Sequence, residues 1–234
     1  MTKLDLKGFT IIELMIATIA FTVILTLTTT AIIGISDTYV KGNVQGQTQE
    51  SARSILSDVS QSIQFSDPSS INLSGLSSSS GVYYFCLGDD VYVYQLDKKL
   101  VTSNPGNSLD DYATWGLVRY NSSICPASAA AIPGNPMSIN GASELLAINE
   151  RLGQLNIAAP ASGALGYTIS VEVAYGDDDL LSDTSSPSSN GNFFHDANSA
   201  PSSYQFKYAC KDGPDSSFCA VSALTTTVAP RITN

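Results

Sequence analysis

The chain has 234 residues, enough for one medium domain or for a smaller domain plus an anchor. Its formal net charge is −10, from 11 basic and 21 acidic residues, and the only adjacent cations are Lys98 and Lys99. Such a chain repels phosphate backbones, which excludes nucleic-acid binding through the surface as a whole.

The N-terminus reads Met-Thr-Lys-Leu-Asp-Leu-Lys-Gly over residues 1–8, then Phe9-Thr10-Ile11-Ile12-Glu13-Leu14-Met15. From Leu14 to Ile35 there is no charged side chain. As a helix at ~1.5 Å per residue this stretch reaches about 33 Å, close to the ~30 Å of a bilayer's hydrocarbon. Lys3 and Lys7 precede it, and the positive-inside tendency places the N-terminus in the cytoplasm. A removed secretory signal fits poorly, because the apolar stretch is long and no clear Ala-x-Ala site follows. A plain signal anchor accounts for everything except Glu13. Thr18, Thr22 and Thr26 recur at spacing four on one helix face. They serve either close helix–helix packing, which the reading favours, or bonds back to their own helix carbonyls.

Helical pattern continues beyond the apolar stretch. Ala52, Ile55, Leu56, Val59 and Ile63 form one apolar stripe, with Gln49, Glu50, Arg53, Ser57, Asp58 and Gln61 opposite. The stripe should pack on a sheet. Gly34, Gly42 and Gly46 lie between the two parts and mark a neck where the helix should bend or loosen on assembly. Asp67-Pro68 supplies the stop, since the residue before proline avoids the helical region.

A Ser-rich linker over 69–81 leads into strand signals. Val82–Leu87 and Val91–Leu96 read as a hairpin turning at Gly88-Asp89-Asp90. Trp115–Tyr120 reads as a further strand. Tyr167–Tyr175 alternates, with Ile169, Val171, Val173 and Tyr175 on one face and Ser170, Glu172 and Ala174 on the other. Tyr204–Cys210 and Phe218–Val228 complete the sheet. Ser143–Leu152 reads as a short helix capped by Ser143. Loops rich in Pro, Gly, Ser and Asn fill 102–111, 126–141 and 177–203. The expected class is α+β: a long N-terminal helix, membrane-spanning and then amphipathic, on an antiparallel β-rich head.

Four cysteines allow three connectivities, and an even count in an exported chain favours disulfides. The stretch between Cys210 and Cys219 holds the turn-forming Asp212-Gly213-Pro214-Asp215, which favours Cys210–Cys219 and leaves Cys86–Cys125 by elimination. Free buried thiols are the alternative.

There is no Walker loop and no nucleophile elbow, and the single histidine, His195, lies in a Ser/Asn-rich loop where a triad is not expected. No C-x-x-C pair points to zinc. Asp177, Asp178, Asp179 and Asp183 offer oxygen ligands for calcium but lack the spacing of a calcium loop, and read as a solvated loop. Asn72-Leu73-Ser74 and Asn121-Ser122-Ser123 fit glycan sequons. Neither cofactor nor metal is expected, and the chain reads as a non-enzyme.

The run Lys7-Gly8-Phe9-Thr10-Ile11-Ile12-Glu13-Leu14-Met15 resembles the processing site of type IV pilins and pseudopilins. The resemblance covers about the first 30 residues. It implies a cut after Gly8 by a prepilin peptidase, N-methylation of Phe9 as the new N-terminus, and an assembly role for Glu13 against the terminal amine of a neighbouring subunit. A carboxylate and an ammonium are each costly in an apolar setting and much less so as a pair, so the pair can specify axial stagger. The resemblance further implies a leader over 1–8, a transmembrane and assembly helix over 9–36, an amphipathic helix over 37–66 and a globular head over 67–234. Since major subunits of the family are usually shorter, the resemblance implies for this length a minor pilin that primes assembly of a type IV pilus or supports twitching, adhesion or DNA uptake. Its partners would be other pilin subunits, the peptidase/N-methyltransferase and the membrane assembly platform. It would begin as a single-pass cytoplasmic-membrane protein with an exported head and end in a fimbrium at the cell surface. A type II secretion or competence pseudopilin, and a membrane-anchored surface-binding module, are the alternatives.

Overall fold

A computed structural model describes residues 10–76, 81–103, 112–160, 166–183, 207–211, 213 and 216–231. The chain divides into two compact units, Met1–Val40 and Lys41–Asn234. The class is α+β, with one long helix preceding the strands.

Helix α1 covers Ile11–Phe65 and is continuous at Gly34, Gly42 and Gly46. Residues 10–39, in the first unit, are all exposed. In the second unit the helix is one-sided. Val44, Thr48, Ala52, Ile55, Val59 and Ile63 are buried, each three or four residues after the last, which is one face of a helix. The helix ends at Phe65. Beyond it the Asp67 carboxylate accepts from the Ser69 N–H at 2.8 Å and caps a short 3₁₀ turn that opens with Pro68.

The strands are β1 (Ile71–Asn72), β2 (Val82–Leu87), β3 (Asp90–Gln95), β4 (Lys99–Leu100), β5 (Tyr112–Ala113), β6 (Leu117–Asn121), β7 (Ser143–Glu144), β8 (Glu150–Ala158), β9 (Tyr167–Tyr175), β10 (Leu181–Asp183), β11 (Tyr208–Cys210) and β12 (Ala220–Val228). One antiparallel sheet runs β1-β2-β3-β6-β7 and another β12-β9-β8, with small pairs β10-β11 and β4-β5. Among the described residues only β4-β5 is parallel. The buried face of α1 packs on both larger sheets. Ala52, Ile55, Val59 and Ile63 meet Phe85, Tyr92, Tyr94 and Leu117 from the first, and Leu152, Leu155, Ile169, Val171 and Val173 from the second. Directly opposed aromatic pairs reinforce the β2–β3 hairpin: Phe85 stacks on Tyr92 at 4.7 Å and Tyr83 on Tyr94 at 5.2 Å.

The second face of the first sheet is also covered. Tyr84, Cys86, Val91, Val93, Val118 and Tyr120 lie under Ile132, Ile139 and Ala129 of the segment that follows β6. Burial on both faces explains why β2 and β3 read as apolar runs rather than alternations.

Two expectations are corrected. Ser143–Leu152 is not a helix. Ser143–Glu144 is β7, paired with Arg119 and Val118, and Glu150 opens β8. The Glu144 carboxylate takes the N–H groups of Gly116 and Leu117, both at 2.8 Å, and that tertiary anchoring overrides a local helical preference. Asn149 has a φ of 69°, which no helix allows. Second, the segment 177–203 is not all loop, because Leu181–Asp183 pairs with Tyr208–Cys210. Ser170 and Glu172, on the other face of β9, are buried as well. On the polar face of α1, Asp58 is engaged by the fold. It pairs with Arg119 and accepts from the Tyr92 hydroxyl at 2.8 Å, tying α1 to the first sheet. Residues 204–206 of the expected strand Tyr204–Cys210 lie outside the described residues, as does His195.

Candidate assembly site

Gly8 and Phe9 lie outside the described residues, so the site begins at Thr10. Thr10 and Glu13 close a reciprocal capping box at the start of α1. Glu13 Oε2 accepts from the Thr10 N–H at 2.9 Å and from its hydroxyl at 2.8 Å, while the Glu13 N–H donates to Thr10 Oγ1 at 3.3 Å. The first amide groups of a helix have no partner within it, and this pair satisfies two of them. The box fixes the Glu13 carboxylate in the first turn, at the end of the helix adjoining Phe9. A carboxylate there also complements the positive end of the helix dipole.

Behind Glu13 the helix is apolar all round and exposed. Ile12, Ile16, Phe21, Ile24, Leu27, Ile32 and Ile35 are uncovered by any described part of the chain. Exposed apolar surface of this extent marks a surface meant for lipid or for other protein. Among the described residues α1 is the one helix long and apolar enough to cross a membrane, by length and composition. Thr18, Thr22 and Thr26 hydrogen-bond back to the carbonyls of Met15, Ile19 and Val23 at 2.8–2.9 Å, so within one chain their hydroxyls are satisfied locally rather than offered to a partner. Hydroxyls satisfied in this way let an apolar helix carry threonine at little cost.

Sequence reasoning missed Thr10. The signal was present as Thr-x-x-Glu directly before an apolar run, the usual mark of a capping box.

The cysteines form two disulfides. Cys86 of β2 bonds Cys125, with Cα atoms 5.9 Å apart, and holds the segment after β6 against the outer face of the first sheet. The Trp115 indole N–H donates to the Gly134 carbonyl at 3.3 Å beneath the same segment. Cys210 of β11 bonds Cys219, with Cα atoms 5.7 Å apart, and ties β11 to the start of β12.

The acidic loop after β9 is engaged by cations of the fold. Asp177 pairs with Lys99, Asp178 with Arg151, and the Asp179 carbonyl accepts from the Lys211 ammonium at 2.8 Å. A groove of about 640 Å³ at the end of α1 is lined by Asp58, Phe65, Asp89, Asp90, Arg119 and other polar residues. Arg119 pairs with both Asp58 and Asp90, and Asp67 and Asp89 leave the groove acidic. The sequon asparagines Asn72 and Asn121 are both exposed.

Three carboxyl groups of the head, Glu144, Glu150 and Glu172, are held above the usual glutamate range, in each case chiefly by burial and against the pull of the N–H groups they accept from. Searches of known protein families, curated proteins and solved structures returned no match to this chain.

Proposed function

We propose that the chain is a minor type IV pilin-like subunit, cut after Gly8 by a prepilin peptidase, N-methylated on Phe9, and packed into a fibre by its apolar helix. The observation that carries the reading is the place of Glu13. An exposed apolar helix needs only hydrophobic side chains to sit in a membrane. This one holds a carboxylate in its first turn, in a fixed orientation, at the end where a new amine would appear after cleavage. The helix face from Val44 to Ile63 then belongs to the head, and the exposed part is left for lipid and neighbouring subunits.

The carboxylate has two separable jobs, capping and carrying charge, and variants divide them. Glu13→Gln keeps an acceptor for the Thr10 N–H and loses the charge. Thr10→Ala keeps the charge and loses the box. Sheared fibres should contain the Thr10→Ala protein and lack the Glu13→Gln protein, with both present in the membrane. Mass spectrometry of wild-type chain from fibres should give N-methylated Phe9 as the first residue. An intact Met1 in fibres, or normal incorporation of Glu13→Gln, overturns the reading. Accumulation in a short periplasmic assembly with no surface fibre would assign the chain to a secretion or competence pseudopilus instead.

A further inference from the structure

A second cluster of buried charged groups lies in the head. Glu172 on β9 is buried, 1% exposed, on the side of its strand away from the α1 core. Its two oxygens accept the N–H groups of consecutive residues: Oε2 from Lys207 at 2.7 Å and Oε1 from Tyr208 at 2.8 Å. Gly153 leaves the room this requires, since a Cβ there would stand 2.9 Å from Glu172 Oε1 and 2.8 Å from the Tyr208 ring. The double bond to the backbone fixes where the Lys207 side chain begins. Its ammonium lies against Asp97 Oδ2, and the other Asp97 oxygen accepts from the Tyr208 hydroxyl at 2.6 Å. Asp97 is itself held in place: its φ is 66°, and its N–H donates to the Leu152 carbonyl at 2.9 Å.

The setting differs from an ordinary ion pair. The Lys207 and Asp97 side chains are 4% and 15% exposed, whereas Asp177, the partner of Lys99 in another Lys–Asp pair, is 60% exposed. The charges of Lys207 and Asp97 both act on Glu172, whose carboxyl is held up chiefly by burial. One cation thus shares a largely buried cluster with two carboxyl groups. Buried charges that meet in this way remain costly, and a reaction that removes both is favoured by the same desolvation.

We propose that Lys207 and Asp97 are joined by an intramolecular amide bond, formed by the chain on itself with Glu172 as the proton carrier. The Lys207 ammonium first yields a proton to the Glu172 carboxylate, and the neutral Nζ attacks Cγ of Asp97. The Nζ–Cγ bond forms and the Cγ–Oδ2 bond breaks. Nζ gives up two of its three hydrogens, which leave with Oδ2 as water. Glu172 delivers the first proton to Oδ2, takes the second proton from nitrogen as the amide forms and passes it to the same departing oxygen, ending as the carboxylate it began as. The Tyr208 hydroxyl donates to Oδ1, the oxygen on which negative charge develops. No oxidant, reductant or co-reactant is consumed. The bond ties the turn after β3 to β11, and the Cys210–Cys219 disulfide carries that tie on to β12. This inference is independent of the assembly reading.

The test is peptide mapping of the reduced full-length chain, purified in detergent. The Asp97 and Lys207 peptides should appear as one branched species, lighter than their sum by one water, with no tryptic cut after Lys207. Lys207→Arg should abolish the species and confirm its assignment. Glu172→Gln should leave both peptides linear, with the fold checked by Trp115 fluorescence, and Tyr208→Phe should slow linkage without preventing it. Two linear wild-type peptides at full mass overturn the bond, whatever the variants do. Linkage in Glu172→Gln at the wild-type rate overturns the role of Glu172.

Discussion

Gly153→Ala gives the most direct measure of how tightly the head is packed. Gly153 sits at the register shift between Leu152 and Gln154 on β8, where one extra residue bends the strand. Its α-carbon faces Tyr208 and Glu172, and a methyl group would stand 2.8 Å and 2.9 Å from them. Neither neighbour is the free end of a flexible chain. Glu172 is held by two N–H groups and Tyr208 by Asp97. Overpacking of this kind costs ~1–3 kcal/mol. The lower entropy of an unfolded alanine returns ~0.4–1 kcal/mol. The net loss is about 1–2 kcal/mol, which for a unit of this size lowers Tm by about 2–8 °C. Trp115 is the sole tryptophan and lies buried in the head, so its fluorescence reports head unfolding in detergent without interference from the anchor. Gly46→Ala is the control. A Cβ there meets nothing within 4 Å, and the helix gains up to ~1 kcal/mol. A Gly153→Ala protein with Tm at or above wild type would show that the pocket has slack and refute the packing argument.

Two further predictions concern the head. The Cys86–Cys125 bond closes a separation of 39 residues and the Cys210–Cys219 bond one of 9, so loop entropy assigns them about 4 and about 2.6 kcal/mol. Denaturant titration should find Cys86→Ala/Cys125→Ala the less stable double variant, and the reverse order would contradict the loop argument. Glu150 accepts from the Ser51 hydroxyl and the Ala147 N–H, both at 3.0 Å, and burial holds its carboxyl above the ordinary 4.5. A folded value above the unfolded one means the native state binds the proton more tightly. The stabilising contribution is therefore complete below the unfolded value and is lost as pH rises through the folded one. Between about pH 4.5 and pH 7 the wild type should lose more stability than Glu150→Gln. Equal slopes in urea titrations at the two pH values would count against this assignment.

The sequence alone determined much of the chain's outline. An uncharged apolar run, a stripe at helical spacing and Asp67-Pro68 specify α1 and its end, because helix periodicity and proline chemistry are local. The β2–β3 hairpin was equally legible, since turn residues and β-branched or aromatic runs act over a few positions. Glu13 stood out because nothing near it is polar enough to hide it.

What failed was decided by contacts far apart in the chain. β7 and the start of β8 looked helical until Glu144 found the N–H groups of Gly116 and Leu117 on a neighbouring strand. Alternation placed Glu172 opposite the apolar face of β9 and left open what covers it. Only the arrival of Lys207 and Tyr208, 35 and 36 residues later, buries it and gives its oxygens donors. Asp97 and Lys207 are 110 residues apart, and no local pattern predicts that they meet. Spacing rules read which side of an element is apolar. Whether its polar side meets water or another segment is set by tertiary packing, because a buried carboxylate is tolerated only where the fold supplies its partners.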